Sequence, residues 1–204
     1  MPLAGRIMEL GYRIVLASNS PRRRELLNGL GLDFQVRVLD GIDESYPESL
    51  DMVDIPLYIS KKKAEAYRTG MADDELIITA DTVVAVGERI LGKPADNFEA
   101  ADMLRLLSGR SHHVVTGVTL MTKQKQHSFT STTEVWFSHL SEEEIEYYVQ
   151  RFHPLDKAGA YGIQEWIGFV GVERIEGSYF NVVGLPIQKL YRELLYFCQG
   201  RVSR

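Results

Sequence analysis

Leu16-Ala17-Ser18-Asn19-Ser20-Pro21-Arg22-Arg23-Arg24-Glu25-Leu26-Leu27 is the stretch on which the fold turns. Before it, Tyr12 to Ala17 is a short, mostly apolar run that predicts a strand. After it, Leu26, Leu27 and Leu30 supply the apolar face of a helix, and Gly31 stands where that helix would stop. Ser20 is suited to cap the helix, and Pro21 falls on the first helical position, where its missing N–H costs nothing. Three arginines in the first turn have the wrong sign for the helix dipole. An anion bound at the helix start would offset that cost, because hydroxyls, backbone N–H groups and guanidinium forks could converge on it. A capped surface helix with solvated arginines is the plainer alternative.

The 204 residues suffice for one domain, or two lobes sharing a sheet, with an ample core. The chain is 45% hydrophobic and 25% charged, ordinary values for a globular protein, with a net charge of −5. That acidic balance argues against a general nucleic-acid footprint. It also makes the clusters Arg22–Arg24 and Lys61–Lys63 stand out. The single cysteine, Cys198, excludes an internal disulfide framework and agrees with a reducing compartment. No apolar run approaches membrane-spanning length, and Met1 to Gly11 lacks a signal-peptide core, so it reads as a short extension before the first strand. A cytoplasmic location, with no membrane partner, is the expectation.

Further strands are predicted over Phe34 to Leu39, Leu76 to Val86, Ser111 to Thr122, Gln126 to Ser138 and Ile167 to Ile175. Helices are predicted over Pro56 to Thr69, Asn97 to Leu107, Ser141 to Phe152 (with a capping box from Ser141 to Glu144) and Pro186 to Phe197. Strands alternating with helices, with one long hairpin and no interdomain linker, indicate mixed α/β architecture. Asp81 is conspicuous. A carboxylate in the middle of Ile77-Ile78-Thr79-Ala80-Asp81-Thr82-Val83-Val84 is expensive unless it has a partner or a task.

Several separated motifs, spread over about residues 13 to 197, carry a resemblance. They are Ser18 to Arg23 (Ser-x-Ser-Pro-Arg-Arg), Gly41-Ile42-Asp43-Glu44, Lys63-Ala64, Ala80 to Val84 and Gly92-Lys93-Pro94. Pro154 to Gln164, Gly177-Ser178-Tyr179 and Val183-Gly184-Leu185-Pro186 complete the set. In order and spacing the chain resembles the Maf family of nucleoside triphosphate pyrophosphatases, named for septum-formation inhibition. The resemblance implies one Maf-like domain with a mixed sheet. It implies two lobes flanking a central active cleft, as in the inosine triphosphate pyrophosphatases. The implied reaction is cleavage between the α and β phosphates to give a nucleoside monophosphate and pyrophosphate. Asn19 stands where Gly is common, and Glu165-Trp166 where small residues are usual, at the rim of the implied base pocket.

The residue types agree with that chemistry. Arg22, Arg23, Lys63, Lys93 and Lys157, with Ser18 and Ser20, match the needs of a triphosphate. Glu44, Asp81 and Asp156 would repel phosphate directly but make sense through a divalent cation. Mg²⁺ or Mn²⁺ would take one or two carboxylates plus waters and phosphate oxygens. Asp81 is expected to act as the general base or to position the attacking water, with Glu44 as the second carboxylate at the metal; which acid does which stays open. Asp156 and Lys157 could instead pair with each other. Lys61 and Lys62 are expected at the surface. The five histidines show no metal-ligand spacing.

Base choice is finer. In the family branch preferring dTTP and UTP, the resemblance marks Arg22, Thr82 and Gln164 as specificity positions. A primary amide can meet the alternating donors and acceptors of a uracil or thymine edge. A branch preferring 7-methyl-GTP or other modified purines is the first alternative. A non-catalytic nucleotide-binding regulator of cell division is the second. A nucleoside triphosphate is thus the expected partner, nucleic acid is not, and a homodimer stays open.

Overall fold

Strand β1 (Arg13–Leu16) lies parallel to both of its neighbours, β2 (Phe34–Val36) and β3 (Glu75–Val86), with Leu16 level with Val36 on one side and Ile78 on the other. The computed structural model describes residues 10–199; most of the expected N-terminal extension lies outside the described residues. After β1 come α1 (Pro21–Asn28) and β2, then α2 (Ile55–Tyr67), β3, β4 (Arg89–Leu91) and α3 (Asn97–Leu107). They are followed by β5 (Ser111–Met121), β6 (Gln126–Phe137), α4 (Glu142–Phe152), α5 (Trp166–Gly171), β7 (Val172–Glu176), α6 (Tyr179–Val183) and α7 (Ile187–Gln199). The strands form one seven-stranded mixed sheet of order β2-β1-β3-β5-β6-β7, with β4 paired antiparallel to β3. The architecture is therefore mixed α/β.

The chain forms two compact units. The first holds the residues up to Asp81, Thr116–Ser131 and those from Gly184 onward; the second holds Thr82–Val115 and Thr132–Val183. In the first unit both faces of β1 and of the first half of β3 are buried, as the continuous apolar runs require. Ile14, Leu16, Leu76, Ile78 and Ala80 face a cluster containing Leu27 of α1 and Leu190, Leu194 and Phe197 of α7. Val15 and Ile77, one residue out of phase, face Ala64 and Tyr67 of α2. Full burial of one such aliphatic side chain contributes about 1.5–3 kcal/mol. The start of α2 lies so close to β5 that a Cβ on Gly117 would fall 2.3 Å from the Leu57 nitrogen. Buried hydroxyls in this layer are satisfied: Thr79 donates to the Ser60 carbonyl at 2.7 Å, and Ser60 and Thr119 share a bond of 2.9 Å.

The second unit packs α3 and α4 over strand segments through Val84, Leu104, Leu107, Val135, Ile145 and Tyr148. The capping box holds: Ser141 Oγ accepts from the Glu144 N–H, and Glu144 Oε2 accepts from the Ser141 N–H at 2.7 Å. The expected strand over Ile167 to Ile175 is corrected. Residues Trp166–Gly171 are helical, and only Val172–Glu176 is strand. Ile167 is buried and Phe169 is 79% exposed, a contrast that a strand, with both on one face, would not give. A short apolar run does not distinguish helix from strand by period alone. Gly168 permits the turn, since a Cβ there would overlap the Ile163 carbonyl.

Candidate active site

In the first unit the loop after β1 and the end of the parallel part of β3 lie at the carboxyl ends of adjacent strands. The Ala17 N–H donates to Ile78 O at 2.9 Å, so residues 79 to 81 run on beyond β1. Ligands of open α/β sheets bind at such strand ends. Ser20 caps α1, its hydroxyl accepting from the Arg23 N–H, while the buried Ser18 hydroxyl accepts from the Ser20 N–H at 3.2 Å.

Lys63, on α2, directs its ammonium to Asp81 Oδ1 at 2.8 Å and to Glu44 Oε1 at 3.0 Å. The Asp81 side chain is 13% exposed, so the ammonium compensates a carboxylate largely withdrawn from water. Glu44 is more open, and the residues on either side of it are held by another lysine. Lys62 donates to Asp43 Oδ2 at 2.6 Å and to Ser45 O at 3.0 Å. That ammonium, with the Ser45 N–H and hydroxyl, holds the Asp43 carboxyl below the usual carboxylate range. Lys61 is exposed. The three consecutive lysines therefore point to three different tasks, as helix geometry requires.

Arg23 is used differently from a simple anion ligand. Its Nε donates to Gly184 O at 2.8 Å and an Nη to Ala80 O at 2.7 Å. Burial of the guanidinium lowers its pKa, opposed by the charges of Asp81 and Glu44 and assisted by that of Arg22. Arg22, Asp81 and Glu44 thus all lie within electrostatic range of Arg23. Arg24 is exposed, in a shallow groove with Glu25, Asn28 and Phe34.

The second unit carries Thr82, Lys93, Asp156, Lys157 and Gln164. Lys93 is exposed at the end of β4. Its turn is joined to the Lys157 segment, where the Gly159 N–H donates to Gly92 O at 3.0 Å. Gly159 has φ +69°, and a Cβ there would also come within 2.9 Å of Val84. The next residue, Ala160, holds a positive φ of 58° while fully buried, a strained backbone in the middle of the segment. Lys157 is buried and directs its ammonium to Asp156 Oδ1 at 2.7 Å and Glu165 Oε1 at 3.1 Å. Gln164 Oε1 is buried with no hydrogen-bond partner. An orphaned buried acceptor of this kind is rare and calls for a ligand donor or water.

Tyr148 and Glu165 also belong to this group. The Tyr148 hydroxyl donates to Glu165 Oε2 and accepts from the Gly162 N–H at 3.0 Å. In the sequence Tyr148 reads only as one apolar position of α4. Its hydroxyl contacts come from chain 14 and 17 residues away.

The model of the Maf-like protein family matches residues 13–197. The chain belongs to the Maf family. Among Maf relatives, the dTTP/UTP pyrophosphatase of Parabacteroides distasonis is 59% identical over 186 residues, covering 91% of this chain and 96% of that one. The dTTP/UTP pyrophosphatase of Porphyromonas gingivalis is 54% identical, covering 91% and 94%. Among solved structures, the Staphylococcus aureus Ham1 protein is 18% identical, covers 89% of this chain and 99% of that chain, and superposes with a TM-score of 0.49. Among the described residues of this Maf protein, no three His, Cys, Asp or Glu side chains are grouped to hold a metal, and no helix is long and apolar enough to cross a membrane.

Proposed function

We propose that this protein is a nucleoside triphosphate pyrophosphatase that hydrolyses dTTP and UTP to the monophosphate and pyrophosphate. The observation that carries the chemistry is the Asp81–Lys63–Glu44 arrangement at the strand ends, a carboxylate pair bridged by one ammonium. Relatives at 54–59% identity named dTTP/UTP pyrophosphatase support the substrate class.

In the reaction, a water oxygen bonds to the α-phosphorus and the bond to the bridging oxygen breaks, its electron pair leaving with pyrophosphate. Asp81 takes the water's proton as general base or orients it. In the first unit Arg22 and Lys63, with the hydroxyls of Ser18 and Ser20, are assigned to the phosphate charge; in the second, Lys93 and Lys157 are assigned the same task. Arg23 backs this group by fixing the start of α1 to the backbone of residues 80 and 184. The donor set suits Mg²⁺ or Mn²⁺: Glu44 and Asp81 are two carboxylates sharing one cationic neighbour, and such ions take one or two carboxylates with waters and phosphates. When bound, such an ion would supply charge neutralisation at the phosphates.

Gln164 reads the base, and Thr82 and Arg22 are the other two residues assigned to specificity. Its partnerless Oε1 would accept the ring N–H of uracil or thymine, which would satisfy the orphaned atom. The modified-purine alternative is disfavoured because the Glu165 carboxylate, the acid that could meet a guanine edge, is engaged by Tyr148 and Lys157. A cytoplasmic setting fits one cysteine and a nucleotide substrate.

The test is product analysis. UTP with Mg²⁺ or Mn²⁺ should yield UMP and pyrophosphate in equal amounts, and excess chelator should abolish turnover. UDP with phosphate would overturn the reaction assigned, and full activity in chelator would overturn the role of the divalent ion.

A further inference from the structure

Glu165 occupies the N-cap position of α5, yet its side chain makes no capping bond. Both carboxylate oxygens are turned back instead. One accepts from the buried Tyr148 hydroxyl and the other lies 3.1 Å from the Lys157 ammonium. Tyr148 in turn accepts from the Gly162 N–H, two residues before Gln164. The packing leaves no slack, since a Cβ on Gly162 would come within 2.9 Å of both Gln164 Nε2 and Glu165 Cδ. The Lys157 ammonium donates to Asp156 Oδ1 and forms an ion pair with Glu165 Oε1, so two carboxylates hold its position. Burial, followed by the contact with Glu165, raises the Tyr148 pKa, so the hydroxyl stays a donor.

We propose that Glu165 is a positioning residue. One oxygen aims the Lys157 ammonium, and the other, through the Tyr148 hydroxyl, pins the Gly162 backbone and so sets the aim of the neighbouring Gln164 amide. One carboxylate thereby couples a cationic group to the base-reading amide. The inference rests on the pyrimidine-specific activity proposed above.

The test compares Glu165→Gln, Tyr148→Phe and Gln164→Ala with the parent, measuring kcat and KM for UTP and CTP together with Tm. Glu165→Gln keeps an acceptor for Tyr148 but removes the charge beside Lys157. Its KM for UTP should rise about tenfold, with kcat reduced less than about threefold and the UTP:CTP preference kept. Tyr148→Phe keeps the Glu165–Lys157 contact but frees Gly162, and should lower the UTP:CTP preference by about tenfold. Either variant lying within about twofold of the parent on its own readout, even with a lowered Tm, makes the contact merely structural and overturns the inference. If Gln164→Ala changes the substrate ranking in that case, the base-reading assignment survives alone. If Gln164→Ala leaves the ranking unchanged, base reading by Gln164 fails and the inference fails with it.

Discussion

Lys63 Nζ donates to Asp81 Oδ1 at 2.8 Å, joining a helix and a strand 18 residues apart in the chain. The lysine explains how a carboxylate is tolerated in an otherwise buried strand, and it leaves that carboxylate at the open end of the parallel sheet. Asp81→Asn keeps the shape and removes the charge. The expected result is a fall in kcat of about 10² or more with little change in Tm. Turnover near that of the parent would remove Asp81 from the chemistry.

Lys63→Met should cost more stability than Asp81→Asn, because it strands a carboxylate that is only 13% exposed. Leaving such a group without its partner costs about 1–3 kcal/mol or more. In the double variant much of that loss should return, since the unpaired charge is gone. Urea denaturation of the two single variants and the double variant measures the coupling; simple additivity would show that the contact carries no energy.

Arg23→Ala tests a role that the sequence did not disclose. The side chain satisfies the carbonyls of Ala80 and Gly184. Its truncation should lower stability by about 1–3 kcal/mol besides weakening turnover. The arginines look alike in sequence, and all three suit a phosphate. Only the fold separates Arg23, clamped to two strand-end carbonyls, from exposed Arg24. A loss of activity with unchanged stability would return Arg23 to a purely ligand-facing role.

Much of the architecture was legible because local chemistry and packing agreed. The helix at Asn97–Leu107, the capping box at Ser141 and the proline start of α1 each carry their signal within a few residues. The pairing of Lys63 with Asp81 was readable as a need, since a buried acid requires a partner, but the partner's identity required the fold. The helical Trp166–Gly171 segment was not legible, because six residues hold too few turns to show a period. The Tyr148–Glu165–Lys157 chain was hidden for a different reason: an aromatic on an apolar helix face reads as packing, and its hydroxyl says nothing of where it points.

The pH dependence of stability offers a check on the second unit. His112 is buried, and burial, with a smaller effect of His113, lowers its pKa to about 4. Its Nε2 lies 2.7 Å from the Tyr161 hydroxyl. The unfolded chain, with an ordinary histidine near 6.5, binds the proton first, so this contribution to stability is complete above 6.5 and is lost as pH falls toward 4. The loss across that window is at most about 3 kcal/mol. His112→Gln should flatten the slope of unfolding free energy between those limits; an unchanged slope would show that His112 does not titrate there.

Gln164→Glu replaces an amide donor by an acceptor beside the orphaned oxygen position. It should depress kcat/KM for UTP and narrow the gap to CTP and GTP, leaving pyrophosphate as the product. A substrate ranking unaltered by the substitution would remove Gln164 from base recognition.

Pyrimidine specificity is read most directly from kcat/KM of the wild-type protein for dTTP, UTP, CTP, GTP and 7-methyl-GTP, measured as pyrophosphate released with Mg²⁺ or Mn²⁺ present. dTTP and UTP should lead, with CTP lower by about ten- to a hundredfold, because the cytosine ring nitrogen carries no hydrogen and would meet Gln164 Oε1 acceptor to acceptor. A preference for 7-methyl-GTP, or equal rates on all five nucleotides, would contradict that specificity.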